Sequence, residues 1–256
     1  MLHHIRFGPP TSSPIVLLHG FLGDSRDWSD VVRHLNQFNF LAIDLPGHGK
    51  SRAIGLEYGF PQTAQAIIDV LDVNIISRCH LLGYSMGGRL ALYTAIKYGS
   101  RFSSLLLESC TAGVPDRRQR VQFELELSRK LCHSDMADFV HQWYDMEIFN
   151  TTRQHARFAE LVRRRSENDP VALSRVLVNL GSGTMPSLWR ALRHLEMPLH
   201  YLFGEKDEKY AKIAREIEKQ GVNVSLYSIK NSGHNAHFEN PVEFCNVMQT
   251  ILTDKE

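Results

Sequence analysis

Gly83-Tyr84-Ser85-Met86-Gly87 is the stretch on which the fold turns. It continues the apolar run His80-Leu81-Leu82, which reads as a buried strand, and it precedes Arg89–Tyr98, where apolar residues recur at helical spacing. A strand that passes into a helix through G-x-S-x-G is a nucleophile elbow. Its glycines permit a turn too tight for larger side chains, and the turn lifts the Ser85 Oγ above the sheet edge. The backbone N–H of the next residue, Met86, then faces a developing oxyanion. Since the bare five-letter pattern also occurs in ordinary turns, the flanking strand and helix carry the reading.

An elbow needs an acid and then a histidine later in the chain. Phe203-Gly204-Glu205-Lys206-Asp207 follows an apolar run, which places Asp207 in the loop at a strand end, with Glu205 and Glu208 as competing carboxylates. Ser232-Gly233-His234 follows the next run. His234 is expected to take the Ser85 proton, and Asp207 to fix its tautomer and stabilise the imidazolium. Upstream, His19-Gly20-Phe21-Leu22-Gly23 ends the first strong strand. Its glycines let backbone N–H groups approach a ligand, and the Phe21 N–H would pair with that of Met86 as an oxyanion hole.

Short apolar runs alternate with helical patterns along most of the chain: Ile15–Leu18, Phe40–Ile43, His80–Tyr84, Ser104–Leu107, Leu199–Phe203 and Val222–Tyr227. Thr63–Leu71 and Val242–Leu252 have helical periodicity, as Arg89–Tyr98 does. This alternation implies an α/β fold, with a mostly parallel sheet flanked by helices. Between Thr111 and Arg193 the rhythm breaks and the pattern is helical throughout. We therefore expect a core of residues 1–110 and 194–256, and a helical cap, 111–193, inserted after the fourth main strand.

Composition narrows the function classes. The chain has 256 residues, 43% hydrophobic and 22% charged, with Lys+Arg 29 against Asp+Glu 28. Such a balance gives no global attraction to nucleic acid or anionic membrane. No apolar run approaches the roughly 20 residues of a membrane span, and no signal peptide is visible. Four scattered cysteines without a C-x-x-C pair fit reduced thiols, so a cytoplasmic location is expected, as a monomer or weak homo-oligomer. Gly47-His48-Gly49-Lys50-Ser51 looks like the tail of a P-loop, but Asp44 occupies the first glycine position, where a carboxylate would repel phosphate. His234 and His237 have no third ligand at metal-binding spacing, so no metal is expected.

Taken together, His19-Gly20-Phe21, Asp44-Leu45-Pro46-Gly47-His48-Gly49-Lys50-Ser51, Gly83–Gly88 and Ser232-Gly233-His234 resemble the α/β-hydrolase superfamily over nearly the whole chain. The short N-terminus suggests that the opening antiparallel strands of that fold are trimmed. A narrower resemblance is to the menaquinone-pathway lyases that make 2-succinyl-6-hydroxy-2,4-cyclohexadiene-1-carboxylate. It rests on His19–Asp24 with Trp28, Arg89 after Gly87-Gly88, Arg117-Arg118-Gln119-Arg120, Trp143-Tyr144, Arg163-Arg164-Arg165 and Gly233–Pro241. The resemblance implies a cofactor-free elimination of pyruvate, with Ser85 and His234 acting as a base without an acyl-enzyme. The two N–H groups would hold an enolate oxygen.

The substrate implied carries three carboxylates, and guanidinium suits bidentate carboxylate binding. Thr111–Pro170 holds nine of the 20 arginines, but also ten acidic residues, so most of those arginines read as a salt-bridged helical surface. Arg89, Arg120 and Arg165 are the expected substrate ligands, because motif position and chemistry agree there. Trp143 and Tyr144 would wall the ring pocket or simply pack the cap. The alternative function is a carboxylesterase or thioesterase using the same Ser85, His234 and Asp207 through an acyl-serine. An intact triad argues against a catalytically silent binding protein.

Overall fold

Runs that are apolar at every position suit strands covered on both faces. The computed structural model describes residues 1–10 and 13–253. Its elements begin with β1 (His4–Phe7), β2 (Ile15–Leu18), α1 (Ser29–His34), β3 (Phe40–Ile43), α2 (Phe60–Val73), β4 (Cys79–Tyr84), α3 (Met86–Lys97) and β5 (Phe102–Glu108). Then come α4 (Arg117–His133), α5 (Met136–Tyr144), α6 (Asn150–Arg153), α7 (Phe158–Arg165) and α8 (Pro170–Leu180). The chain closes with β6 (Leu199–Gly204), α9 (Glu208–Glu218), β7 (Val224–Ile229), α10 (Ala236–Glu239) and α11 (Pro241–Thr253).

The strands form one seven-stranded sheet in the order β1-β3-β2-β4-β5-β6-β7. Only β1 is antiparallel to its neighbour. Every residue of β2 and β3 is buried. One apolar cluster, including Ile67, Leu71, Leu90 and Leu107, fills one side of the sheet, and a second, including Trp28, Leu82, Phe244 and Met248, fills the other. Register brings Leu18 level with both Ile43 and Gly83, and Gly204 level with Ile229. The loops after β2, β3, β4, β6 and β7 therefore leave the same sheet edge, where ligands bind in open parallel sheets.

Two details differ from the sequence expectation. One antiparallel strand is retained at the N-terminus: His4–Phe7 pairs with Phe40–Ile43. It is a half-buried edge strand that mixes His and Arg with Ile and Phe, so no apolar run marks it. The last strand begins at Val224 rather than Val222. Gly221, at φ +73°, ends the preceding turn, and pairing with β6 starts only at Val224.

Between β5 and β6 the described elements are helical, with α4 to α8 spanning 117–180. This insertion has its own apolar cluster, including Leu131, Phe139, Tyr144 and Leu161, into which Leu22 and Phe238 project. α8 belongs to both layers. Leu173 and Leu177 join the insertion's cluster, whereas Val176 and Leu180, one turn apart on another face, join the sheet's. Ala112, Met185, Leu188 and Leu192 also pack with the sheet. No helix among the described residues is long and apolar enough to cross a membrane.

Candidate active site

Ser85 sits between β4 and α3 at φ +50°, ψ −105°, a conformation that costs a non-glycine residue of order 1–3 kcal/mol. Its surroundings hold it there. The Ser85 N–H donates to the Glu108 carbonyl at 2.9 Å, and the Ser85 carbonyl accepts from the Arg89 N–H at 3.1 Å. The two glycines of the elbow are required by close approach: a Cβ at Gly83 would lie 2.3 Å from the Gly87 carbonyl oxygen, and one at Gly87 would lie 2.2 Å from that of Leu18.

His234 reaches this serine from the loop after β7. Its Nε2 is 3.2 Å from Ser85 Oγ and its Nδ1 is 3.1 Å from Asp207 Oδ2. Asp207 is also the N-cap of α9, with Oδ1 accepting from the Tyr210 N–H at 3.1 Å. One carboxylate oxygen thus anchors a helix while the other fixes the imidazole, leaving Nε2 as the basic nitrogen toward Ser85. Glu205 instead accepts from the Asn231 N–H, and Glu208 is exposed. Asp207 and His234 are buried, and the rings of Tyr84, Phe149 and Tyr210 surround the imidazole at 5.4, 5.4 and 4.7 Å between centroids. Glu239 braces the histidine loop by accepting from the Gly233 N–H at 2.6 Å and from the Thr152 hydroxyl of α6.

The loop after β2 faces the elbow as a tight turn, with the Gly23 N–H donating to the Gly20 carbonyl at 3.0 Å. Met86 opens α3, so its N–H has no acceptor within the helix and is oriented outward from the helix start. The Phe21 ring lies 4.8 Å from that of Trp143, which in turn lies 6.0 Å from Phe149. Trp143 and Phe149 therefore connect the Phe21 loop to His234 as one aromatic wall. Tyr144 is buried behind it, its ring edge against Phe149 and its hydroxyl 3.4 Å from Arg165 Nε. Burial raises the pKa of that hydroxyl.

The three arginines fall into two groups. Arg89 Nη1 donates to the Leu180 carbonyl at the end of α8, at 2.9 Å. Burial lowers its pKa, and Glu124, Tyr210 and Arg120 are the charged or titratable groups that it feels most. Arg120 donates through Nε to the buried Glu124 at 2.8 Å and stacks on Phe123. It lines a groove of about 580 Å³ with Val114, Gln119 and Phe123, and none of Ser85, Asp207 and His234 lines that groove. Arg89 and Arg120 thus gather near Tyr210, on the His234 side. Arg165 lies apart and buried, its two terminal nitrogens each 2.7 Å from an oxygen of Asp27. A protein carboxylate fills the bidentate fork that sequence reasoning reserved for substrate.

Sequence reasoning missed a second buried histidine–carboxylate pair beside the first. His237 Nδ1 is 2.7 Å from Glu108 Oε2, and the His237 N–H donates to Oε1 at 3.1 Å. Trp28 stacks on the His237 ring at 4.4 Å, and Tyr84 touches both His234 and His237. The only local signal was the three-residue spacing of the histidines, which suggests metal ligation rather than this pairing. Among the described residues, no group of three or more His, Cys, Asp or Glu side chains is placed to hold a metal.

Comparison with known proteins shows the family. The model of the alpha/beta hydrolase family matches residues 15–247. A 2-succinyl-6-hydroxy-2,4-cyclohexadiene-1-carboxylate synthase of Enterobacter sp. (strain 638) is 35% identical over 250 residues, covering 96% of this chain and 94% of the relative. The protein of the same name from Salmonella paratyphi A is 33% identical, covering 96% of each. The solved structure of MenH from S. aureus superposes with a TM-score of 0.93 at 28% identity, covering 99% of both chains. The chain belongs to the alpha/beta hydrolase family and, within it, to the sequence family of the 2-succinyl-6-hydroxy-2,4-cyclohexadiene-1-carboxylate synthases.

Proposed function

We propose that this protein is a carbon–oxygen lyase that eliminates pyruvate from 2-succinyl-5-enolpyruvyl-6-hydroxy-3-cyclohexene-1-carboxylate, giving 2-succinyl-6-hydroxy-2,4-cyclohexadiene-1-carboxylate. Family membership along nearly the full chain supports the reaction, and the Ser85–His234–Asp207 relay supports an active catalyst. Ser85, with His234 behind it, takes the proton from the ring carbon that bears the succinyl ketone. Electrons move through the ring double bond, the C–O bond to the enolpyruvyl group breaks, and enolpyruvate takes a proton to leave as pyruvate. The Phe21 and Met86 N–H groups stabilise the enolate oxygen, the position where charge develops. A base and an oxyanion hole suffice for this step, so the chemistry calls for no cofactor.

Arg89 and Arg120 are the substrate-facing cations in this reading, with Trp143 as a wall of the ring pocket. Tyr144 supports that wall from behind through Phe149, and Arg165, held by Asp27, bonds the Tyr144 hydroxyl. The helical insertion, taken as residues 111–193, covers the site as a cap. The experiment is a direct assay with freshly generated precursor, following pyruvate beside a p-nitrophenyl acetate control. Pyruvate release that far outpaces ester hydrolysis is expected. Fast ester hydrolysis without pyruvate would replace this reading with the acyl-serine hydrolase.

A further inference from the structure

Leu22 is a buried, non-glycine residue at φ +67°, in the loop that carries the Phe21 N–H. It occupies the third position of the Gly20–Gly23 turn, where a left-handed residue is needed and glycine is the usual choice. Something must hold a leucine there. Two side chains do so: His48 Nε2 accepts the Leu22 N–H at 3.2 Å, and Asn168, between α7 and α8, donates through Nδ2 to the Leu22 carbonyl at 2.9 Å.

His48 is fixed in the tautomer that this requires. Its Nδ1–H donates to the Pro46 carbonyl at 2.9 Å, which leaves the Nε2 lone pair for Leu22. It stands between Gly47 at φ +76° and Gly49 at φ +49°, in a turn closed by the Ser51 N–H donating to the His48 carbonyl at 2.8 Å. A Cβ at Gly47 would lie 2.4 Å from Val176 of α8, so the turn is wedged under the insertion. The His19 ring meets the His48 ring at 4.9 Å, and the Phe21 ring meets it edge-on at 5.8 Å. Gly47-His48-Gly49-Lys50-Ser51, which looks like a phosphate loop in sequence, forms the support of another loop in space.

We propose that His48 is a positioning residue for the oxyanion hole: by accepting the Leu22 N–H it holds the left-handed turn that aims the Phe21 N–H at the substrate oxygen beside Ser85. The proposal rests on the reading of Phe21 and Met86 as oxyanion donors. Burial, with His19 nearby, lowers the His48 pKa to about 3, which keeps the acceptor available at neutral pH. Displacing an oxyanion donor without removing it reduces the rate of the chemical step and leaves ground-state binding largely intact.

The test uses phenylmethylsulfonyl fluoride and intact-protein mass spectrometry, so it does not depend on the natural substrate. Ser85 Oγ forms a bond to sulfur, the S–F bond breaks, fluoride leaves and the Oγ proton passes to His234. Labelling of the wild type and none of Ser85→Ala tests the nucleophile itself and stands or falls apart from His48. His48→Phe keeps the ring shape but offers no acceptor, and is expected to lower the maximal inactivation rate by about ten-fold or more at unchanged reagent affinity. His48→Gln, whose amide oxygen can take the Leu22 N–H, is expected to stay within about three-fold of wild type. Folded His48→Phe that labels at the wild-type rate would overturn the proposal, since a merely structural histidine would alter melting temperature alone. If His48→Phe does not fold or the wild type does not label, histidine ¹⁵N spectra decide. An unprotonated, hydrogen-bonded Nε2 on His48 across roughly pH 6 to 9 is expected, and a protonated Nε2 refutes the proposal.

Discussion

Arg165 shows how a single side chain can be right in chemistry and different in partner. Its guanidinium meets Asp27 bidentately with both groups buried, and Arg164 adds a second cation at 3.5 Å. Burial pushes the Asp27 carboxyl up, but Arg165 reverses the effect and holds it below the usual carboxylate range. Removing one member of such a pair leaves an uncompensated buried charge. Arg165→Ala should therefore cost about 3–5 kcal/mol in urea unfolding, and the double variant Arg165→Met/Asp27→Leu should recover much of it. Asp24 extends this logic to pH. Burial raises its pKa, and hydrogen bonds from Arg26 and the charge of Arg165 outweigh burial to bring it from 3.8 to about 2. A carboxyl depressed in the folded state stabilises above its unfolded pKa, and that stability is lost as pH falls toward the folded value. The loss should run from about pH 4 to about pH 2. It should amount to about 1–2 kcal/mol, since Arg26 is half exposed, and Asp24→Asn should flatten that part of the curve.

Elements do double duty around the site. Asp207 caps α9 with one oxygen and holds His234 with the other, and substitutions can separate the two tasks. Asparagine caps a helix as well as aspartate does, but leaves the imidazole without its anionic partner. Asp207→Asn should keep the urea midpoint near wild type while kcat falls by about 10²–10⁴. Asp207→Ala should lose the same activity and about 1 kcal/mol of stability besides. Arg89 links elements as well: it starts one turn into α3 and ends on the last carbonyl of α8. Arg89→Ala should raise KM and lower kcat in the pyruvate assay, because it removes a cation near the site and the tie between elbow helix and insertion. Lysine should restore only part, since it lacks the planar fork. Values of kcat and KM both within two-fold of wild type for Arg89→Ala would make this arginine a structural tie only.

At the scale of the molecule, legibility followed distance along the chain. Ser85, Asp207 and His234 each stand in a short motif at a strand end, so local sequence pattern singles them out. Strands β2 to β6 were equally plain, because most of their residues are buried, whereas β7, largely half-buried or exposed, starts two residues later than its apolar run suggests. Half-buried β1 carried no such pattern. The Arg165–Asp27 and His237–Glu108 pairs join residues 138 and 129 positions apart, and no periodicity encodes which carboxylate a given cation or imidazole will meet. The Leu22–His48 contact spans 26 positions and depends on a backbone angle that leucine does not advertise. What unites these features is one sheet edge carrying a strained serine, its buried histidine and an aromatic wall from the insertion.

The central claim is that this edge performs proton abstraction with pyruvate loss. It is tested most directly by pyruvate release from the freshly generated cyclohexene precursor, comparing wild type with folded Ser85→Ala above the rate without protein. A triad acts as a unit, so Ser85→Ala should lose at least about 10³ in kcat, with His234→Ala close to it. If Ser85→Ala keeps more than about a tenth of wild-type turnover, Ser85 is a turn serine outside the chemical step and the account fails.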